Sequence, residues 1–267
     1  MINLINGDCI EEMDKLIERG IKVDAIICDP PYGTTACKWD SIIPFDEMWL
    51  RLNKLIKPNG AIVLFGSEPF SSALRMSNIK HYKYDWVWDK VSGGNPFNNK
   101  IMPMKIVENI MVFEQKGKKV LYYPIMEDAN PKNIRPQIAT KQKSNLLGNF
   151  KNGFISKSDP TKRYPKNIII HNIRNEETNS LNRWHPTQKP VALMEYLVKT
   201  YTNENKTVLD FTMGSGSTMV ACKKLNRNGI GIELDTEKDK GRNKDQSYFD
   251  ISVERVNNVD KKDGMLY

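Results

Sequence analysis

Val23-Asp24-Ala25-Ile26-Ile27-Cys28, followed at once by Asp29-Pro30-Pro31-Tyr32, points to an open α/β sheet. The first six residues form an apolar run with Ala25, Ile26 and Ile27 contiguous, the pattern of a parallel strand buried on both faces. An acid, two prolines and an aromatic residue close it, at the C-terminal end where open α/β sheets place their ligands. The prolines hold φ near one value and supply no N–H, so the turn is stiff and its carbonyls remain acceptors. Asp29 adds a second acceptor and Tyr32 a flat face for stacking. Two acceptors beside an aromatic plate suit a planar group with an exocyclic NH2, such as a nucleobase. The plain alternative is a loop in which Asp29 caps a turn and Tyr32 fills a core gap.

A second signal lies about 180 residues further on. Thr207-Val208-Leu209-Asp210-Phe211 is a short apolar strand, then comes Thr212-Met213-Gly214-Ser215-Gly216-Ser217-Thr218, and Met219 to Leu225 has helical spacing. A glycine turn between strand and helix lets a ligand approach the backbone closely. The next strand, Gly229 to Glu233, ends in an acid placed to accept hydrogen bonds from ribose hydroxyls. The loop lacks the third glycine of a dinucleotide fingerprint, and no Gly-Lys-Ser/Thr follows as in a phosphate loop. S-adenosylmethionine suits it better than NAD or ATP.

Together these residues resemble the amino-group DNA methyltransferases that modify adenine N6 or cytosine N4. The motif order is similar to their β class, with the catalytic Asp-Pro-Pro-Tyr first, a target-recognition region in the middle and the cofactor loop last. The resemblance covers nearly the whole chain and implies catalytic roles for Asp29, Pro30, Pro31 and Tyr32. It implies S-adenosylmethionine contacts from Asp8 and Cys9 near the cofactor adenine, and from Thr187, Gln188 and Lys189 at its methionine end. The latter three belong to His185-Pro186-Thr187-Gln188-Lys189-Pro190. Asp29, Asp210, Phe211, Gly214, Ser215, Gly216, Ser217, Thr218, Glu233 and Leu234 complete the implied cofactor set. Tyr248 to Val256, with Arg255, looks like the family's terminal helix. The family's usual loop reads Asp-Pro-Phe-x-Gly-Ser-Gly-Thr-Thr, whereas Phe211, Thr212 and Ser217 stand here at its Pro, Phe and first Thr positions. An acid at the head of the catalytic motif leans toward adenine, where serine leans toward cytosine.

The resemblance and the pattern of elements agree on one doubly wound, mostly parallel, Rossmann-like α/β sheet in circularly permuted order. Residues 1–115 and 185–257 are expected to form this core, 116–184 an insertion and 258–267 a tail. Phe45 to Leu55 has helical spacing, Lys57-Pro58-Asn59-Gly60 ends it, and Ala61 to Phe65 is the next buried strand. Tyr84 to Trp88 alternates as a strand, Ile106 to Phe113 is expected as an antiparallel edge strand, and Val191 to Tyr201 is a helix. Trp39-Asp40 is expected in a linker, with a loop closing over a base as the alternative.

Charge supports the division. The formal net charge is +8, and residues 91–184 carry 16 Lys or Arg against 7 Asp or Glu, so all of the excess lies in the middle third. Basic side chains interleaved there with Asn, Gln, Tyr and Phe suit phosphate neutralisation and reading of base edges, which makes double-stranded DNA the expected partner. No apolar run approaches the ~20 residues of a membrane span. The start has no basic region followed by an apolar stretch, so a cytoplasmic protein is expected. Four cysteines make no CxxC pair and three histidines show no ligand spacing, so free thiols and no metal are expected. A homodimer and a cognate restriction endonuclease enter only through the resemblance. An inactive nucleic-acid-binding protein of the same fold is the alternative from another class.

Overall fold

The structure is a computed structural model that describes residues 1–35, 40–94, 99–115, 119–131, 159–173, 184, 187–234 and 246–259. Two compact units result, one of Met1–Tyr123 with Asn167–Tyr267 and one of Pro124–Lys166. In the smaller unit β6 (Glu127–Asp128) and β7 (Lys162–Arg163) pair antiparallel.

The larger unit is built on one sheet. Its strands are β1 (Ile2–Asn6), β2 (Val23–Cys28), β3 (Ile56–Gly66), β4 (Tyr82–Gly94), β5 (Lys105–Phe113), β8 (Ile168–Ile170), β9 (Thr207–Asp210) and β10 (Asn228–Glu233). Their spatial order is β1-β10-β9-β2-β3-β5-β4-β8. The first five run parallel, β5 is antiparallel to both its neighbours, and β8 lies parallel to β4. Successive side chains of a strand face opposite layers. Ala25 and Ile27 therefore enter one core cluster with Leu193, Leu197, Val198 and Met219. Ile26 and Cys28 enter the other with Met13, Leu52, Leu55 and Leu74. Helices α1 (Cys9–Glu18), α2 (Phe45–Leu55) and α3 (Phe70–Ser77) supply one layer. Helices α4 (Val191–Tyr201), α5 (Ser217–Lys224) and α6 (Tyr248–Asn257) supply the other. This is a doubly wound α/β fold.

The strand of Ile106 to Phe113 is antiparallel as expected but not an edge. It lies between β3 and β4, because the β4–β5 hairpin folds back and β8 takes the edge beyond it. That edge strand falls inside the stretch expected as an insertion. β3 also starts earlier than the sequence suggests, and Lys57 to Gly60 lie within it. The backbones are tight there, since a Cβ on Gly60 would stand 2.7 Å from the Asp24 carbonyl oxygen.

The order matters because β9 arrives beside β2, with Ala25 opposite Val208 and Ile26 opposite Leu209. Two motifs far apart in sequence thus end one strand spacing apart, on the same edge of the sheet. Among the described residues no helix is long and apolar enough to cross a membrane.

Candidate active site

Asp29 leaves the end of β2, partly buried, and its carboxylate is held on two sides. The hydroxyl of Tyr32 donates to Oδ1 and the ammonium of Lys189 to Oδ2. Across the strand boundary, the Thr212 hydroxyl at the head of the glycine loop donates to the Asp29 carbonyl at 3.1 Å and lies 3.0 Å from the Cys28 sulfur. The two motifs are therefore bonded directly. Pro30 is buried, and among the described residues nothing donates to its carbonyl. The Tyr32 ring stacks on Phe70 at 5.0 Å between centroids with the planes 28° apart.

Burial raises Asp29 above the usual carboxylate range, although its side chain keeps 23% of its surface exposed. The Lys189 charge opposes that shift and nearby Glu108 reinforces it. Burial also pushes the Tyr32 phenol well up, with Asp29 adding to the effect, so the hydroxyl stays a donor.

Asp40 organises the turn at Tyr32 and the loop beyond it. It is 7% exposed, and its carboxylate accepts from the backbone N–H groups of Tyr32, Gly33, Thr34 and Thr35 at 2.6 to 2.9 Å. Burial would raise this acid, but the hydrogen bonds from Thr35, Gly33 and Tyr32 outweigh it and hold Asp40 below its ordinary range. Trp39, its expected companion, lies outside the described residues.

The glycine loop is braced on three sides. Asp210, 3% exposed, accepts from the Thr218 hydroxyl at 2.5 Å and the Thr212 amide at 3.3 Å. Burial pushes its carboxyl up to about 6. Glu233 accepts from the Gly214 amide at 2.7 Å, so this acid of β10 is tied to the loop. Arg255 of α6 donates to the Ser215 carbonyl at 2.5 Å, to its hydroxyl at 2.9 Å and to the Ser217 hydroxyl at 3.3 Å. Gly214 and Gly216 both have positive φ, 53° and 78°, conformations that favour glycine. A Cβ on Gly216 would strike Ser252 at 2.9 Å, whereas among the described residues one on Gly214 would meet nothing within 4 Å. The loop backbone at Gly214 therefore borders open space that a ligand can enter.

The other expected residues divide. Asp8 caps α1, accepting from the Ile10 and Glu11 amides at 2.9 and 3.2 Å. Cys9 follows it, its thiol pushed up to about 12 by burial and by Asp8. Gln188 is buried and lies 3.4 Å from the Ser215 hydroxyl, Thr187 is exposed, and Leu234 is 48% exposed beyond β10. Phe211, expected at the cofactor, is fully buried in the α1–α3 layer of the core, because its place directly after β9 directs it between the sheet and that layer. Lys189, expected at the methionine end of the pocket, forms an ion pair with Asp29. His185 and Pro186 lie outside the described residues. The sequence does not reveal the roles of Asp40, Glu108 and Phe70. An acid shortly after a turn is a weak signal for Asp40, and the other two give none.

Known proteins resemble this chain in sequence and in fold. The solved structure of M1.HpyAVI in complex with SAM is 27% identical, has a TM-score of 0.64 and covers 96% of this chain and 100% of its own. The Type II methyltransferase M.HpaI of Haemophilus parainfluenzae is 27% identical over 95% of this chain and 73% of its own length. M1.MboII of Moraxella bovis, also a Type II methyltransferase, is 27% identical over 86% and 90% respectively. The fold is that of the S-adenosylmethionine-dependent methyltransferases. A family model described as DNA methylase, covering the N6 and N4 methyltransferases, matches residues 23–240. The chain belongs to this family, and S-adenosylmethionine is its cofactor. The open face of Gly214, between Glu233 and Ser215, fits a ligand lying against the loop backbone.

Proposed function

We propose that this DNA methyltransferase acts on the N6 amine of an adenine flipped out of duplex DNA. One observation carries the reading. The Asp29 carboxylate and the Tyr32 ring stand at the end of β2, joined through Thr212 to the glycine loop at the end of β9. An exocyclic amine inside a duplex cannot reach such a site, so the base must leave the stack. Tyr32 then stacks on it, while Asp29 and the Pro30 carbonyl accept its two N–H bonds. An aromatic amine is a poor nucleophile because its lone pair is delocalised into the ring. Two fixed acceptors favour a more tetrahedral nitrogen, and the Asp29 charge stabilises the positive charge that grows there. S-adenosylmethionine, when bound, supplies the electrophilic methyl group. Glu233, Asp8, Gly214, Ser215, Gln188 and Thr187 are the residues we assign to holding it. The proton leaves the nitrogen after transfer.

Asp29 at the head of the motif favours adenine over cytosine. The basic stretch within 116–184 suits the DNA backbone, and a role beside a cognate restriction endonuclease extends the reading from the family resemblance. Incubation with unmethylated DNA and methyl-labelled S-adenosylmethionine, followed by nucleoside mass spectrometry, tests it. Labelled N6-methyladenine is expected. N4-methylcytosine would keep the mechanism and overturn the base, and no label in either would overturn the enzyme reading.

A further inference from the structure

We propose that Lys189 is the positioning residue of the catalytic turn, its ammonium orienting the Asp29 carboxylate and keeping it an acceptor while Glu108 balances the added charge. The inference rests on Asp29 as the group that receives the amine. Lys189 is 8% exposed, a costly place for an ammonium unless it is fully partnered. Its partners are Asp29 Oδ2, Glu108 Oε2 at 3.3 Å, and the rings of Phe65, Trp88 and Tyr32, whose centroids lie 5.2, 5.8 and 5.9 Å away. Aromatic faces attract a desolvated cation. Glu108 is held from its other side by Lys90 at 3.1 Å. Four charges thus alternate in sign, from Asp29 through Lys189 and Glu108 to Lys90.

The chemistry requires such an arrangement. A buried carboxyl tends to take up a proton, and a protonated Asp29 would present a donor where the amine needs an acceptor. It would also carry no charge to stabilise a cationic nitrogen. A bare cation beside Asp29 would solve the first difficulty and create another, since it would repel the charge developing on the amine. Glu108 removes most of that repulsion by neutralising Lys189 from behind. Lys189 occupies Oδ2, which leaves Oδ1, shared with the Tyr32 hydroxyl, for the substrate side.

Among the described residues the groups facing Asp29 are Lys189, Glu108 of β5, Tyr32, Cys28 of β2 and Asp210 of β9. Asp29 and Glu108 keep Lys189 charged against its burial, and the charges of Lys189 and Lys90 overcome the burial of Glu108 and hold it ionised. Cys28 and Tyr32 are pushed well up by burial and stay neutral. Asp210, pushed up to about 6, is raised by burial as Asp29 is, so the two signals must be separated.

The test is an NMR pH titration of the full chain carrying carboxyl-13C aspartate, with Asp29→Asn and Asp210→Asn used to assign the two signals. Lys189→Gln should raise the Asp29 midpoint by at least about one pH unit, a tenfold loss of ionised fraction on the acid limb. Lys189→Arg should largely restore it. Glu108→Gln should move it down, a sign that a merely structural role would not produce. The acid limb of single-turnover methyl transfer to DNA should follow the same shifts, with S-adenosylmethionine affinity little changed. If Lys189→Gln fails to fold, Lys189→Gln with Glu108→Gln removes the charge imbalance, and its Asp29 midpoint should exceed that of Glu108→Gln alone. An Asp29 midpoint that ignores Lys189 overturns the proposal. So does a tenfold loss of cofactor affinity with the midpoint unmoved, which would return Lys189 to the cofactor. If the wild-type chain transfers no methyl group, the functional reading fails, while the titration still decides the role of Lys189.

Discussion

Asp29 and Asp210 are both acids at the ends of adjacent parallel strands, yet their surroundings give them different work. Asp29 is met by an ammonium and a phenol, and part of it reaches the surface. Replacing it with alanine should reduce methyl transfer by at least about a thousandfold, since an electrostatic and positioning group is lost together. The dissociation constant for S-adenosylmethionine, measured by calorimetry, should change less than about threefold, because in the proposed mechanism the Asp29 carboxylate acts on the amine. Turnover near wild type would remove Asp29 from the mechanism. Asp210 is met by the Thr218 hydroxyl and the Thr212 amide, and its carboxyl is raised to about 6 by burial. Because the folded value lies above the unfolded one, the folded state binds this proton more tightly. Its contribution to stability is full below about pH 4 and is lost as pH rises through about 6. Asp210→Asn removes that dependence. The melting temperature of the variant relative to wild type should therefore rise between pH 4 and 7, and a constant difference across that window would contradict the assignment.

At the scale of elements, the loop after β2 shows how one side chain replaces secondary structure. Residues 32–35 form neither helix nor strand, so their amides need other acceptors, and Asp40 supplies one carboxylate to four of them. Asp40→Ala leaves those amides without that partner in a partly buried place, and the Tyr32 plate loses its anchor. A displacement of about 1 Å in a reacting geometry can cost about a hundredfold in rate. Asp40→Ala should accordingly slow single-turnover methyl transfer by roughly ten- to a hundredfold, with cofactor binding preserved. A rate within twofold of wild type would show that the loop keeps its shape without Asp40. This brace is not legible in the sequence, because an acid some eight residues beyond the aromatic of a turn has no periodic signature. The apolar runs of β2 and β9 and the glycine turn are legible, since each is a local pattern of about ten residues. What periodicity cannot supply is neighbour order: it identifies β5 as a strand but says nothing of β8 covering the edge beyond β4. Nor can it pair Lys189 with Asp29, a contact between residues 160 apart that exists only because β2 and the start of α4 meet in the fold.

Over the whole molecule, charge and architecture are divided in the same way. The sheet that carries Asp29 and the glycine loop is drawn mainly from the two ends of the chain, and these ends together have almost no net charge. Residues 91–184 hold 16 basic and 7 acidic side chains, so the long-range field that attracts a polyanion arises from the middle. Catalysis and DNA attachment should then be separable by mutation. Lys141, Lys143 and Lys151 lie within the densest basic stretch. Each lysine that contacts a phosphate releases about one counterion, so the slope of log affinity against log salt becomes shallower by roughly 0.9 per contact removed. Changing all three to serine should flatten the slope by about 2 to 3 if all three make contact, and weaken binding similarly on cognate and unrelated duplexes. The S-adenosylmethionine dissociation constant and the melting temperature should stay as in wild type. An unchanged salt slope would place the DNA backbone elsewhere on the protein, and a loss confined to one DNA sequence would mean that these lysines read bases instead of phosphates.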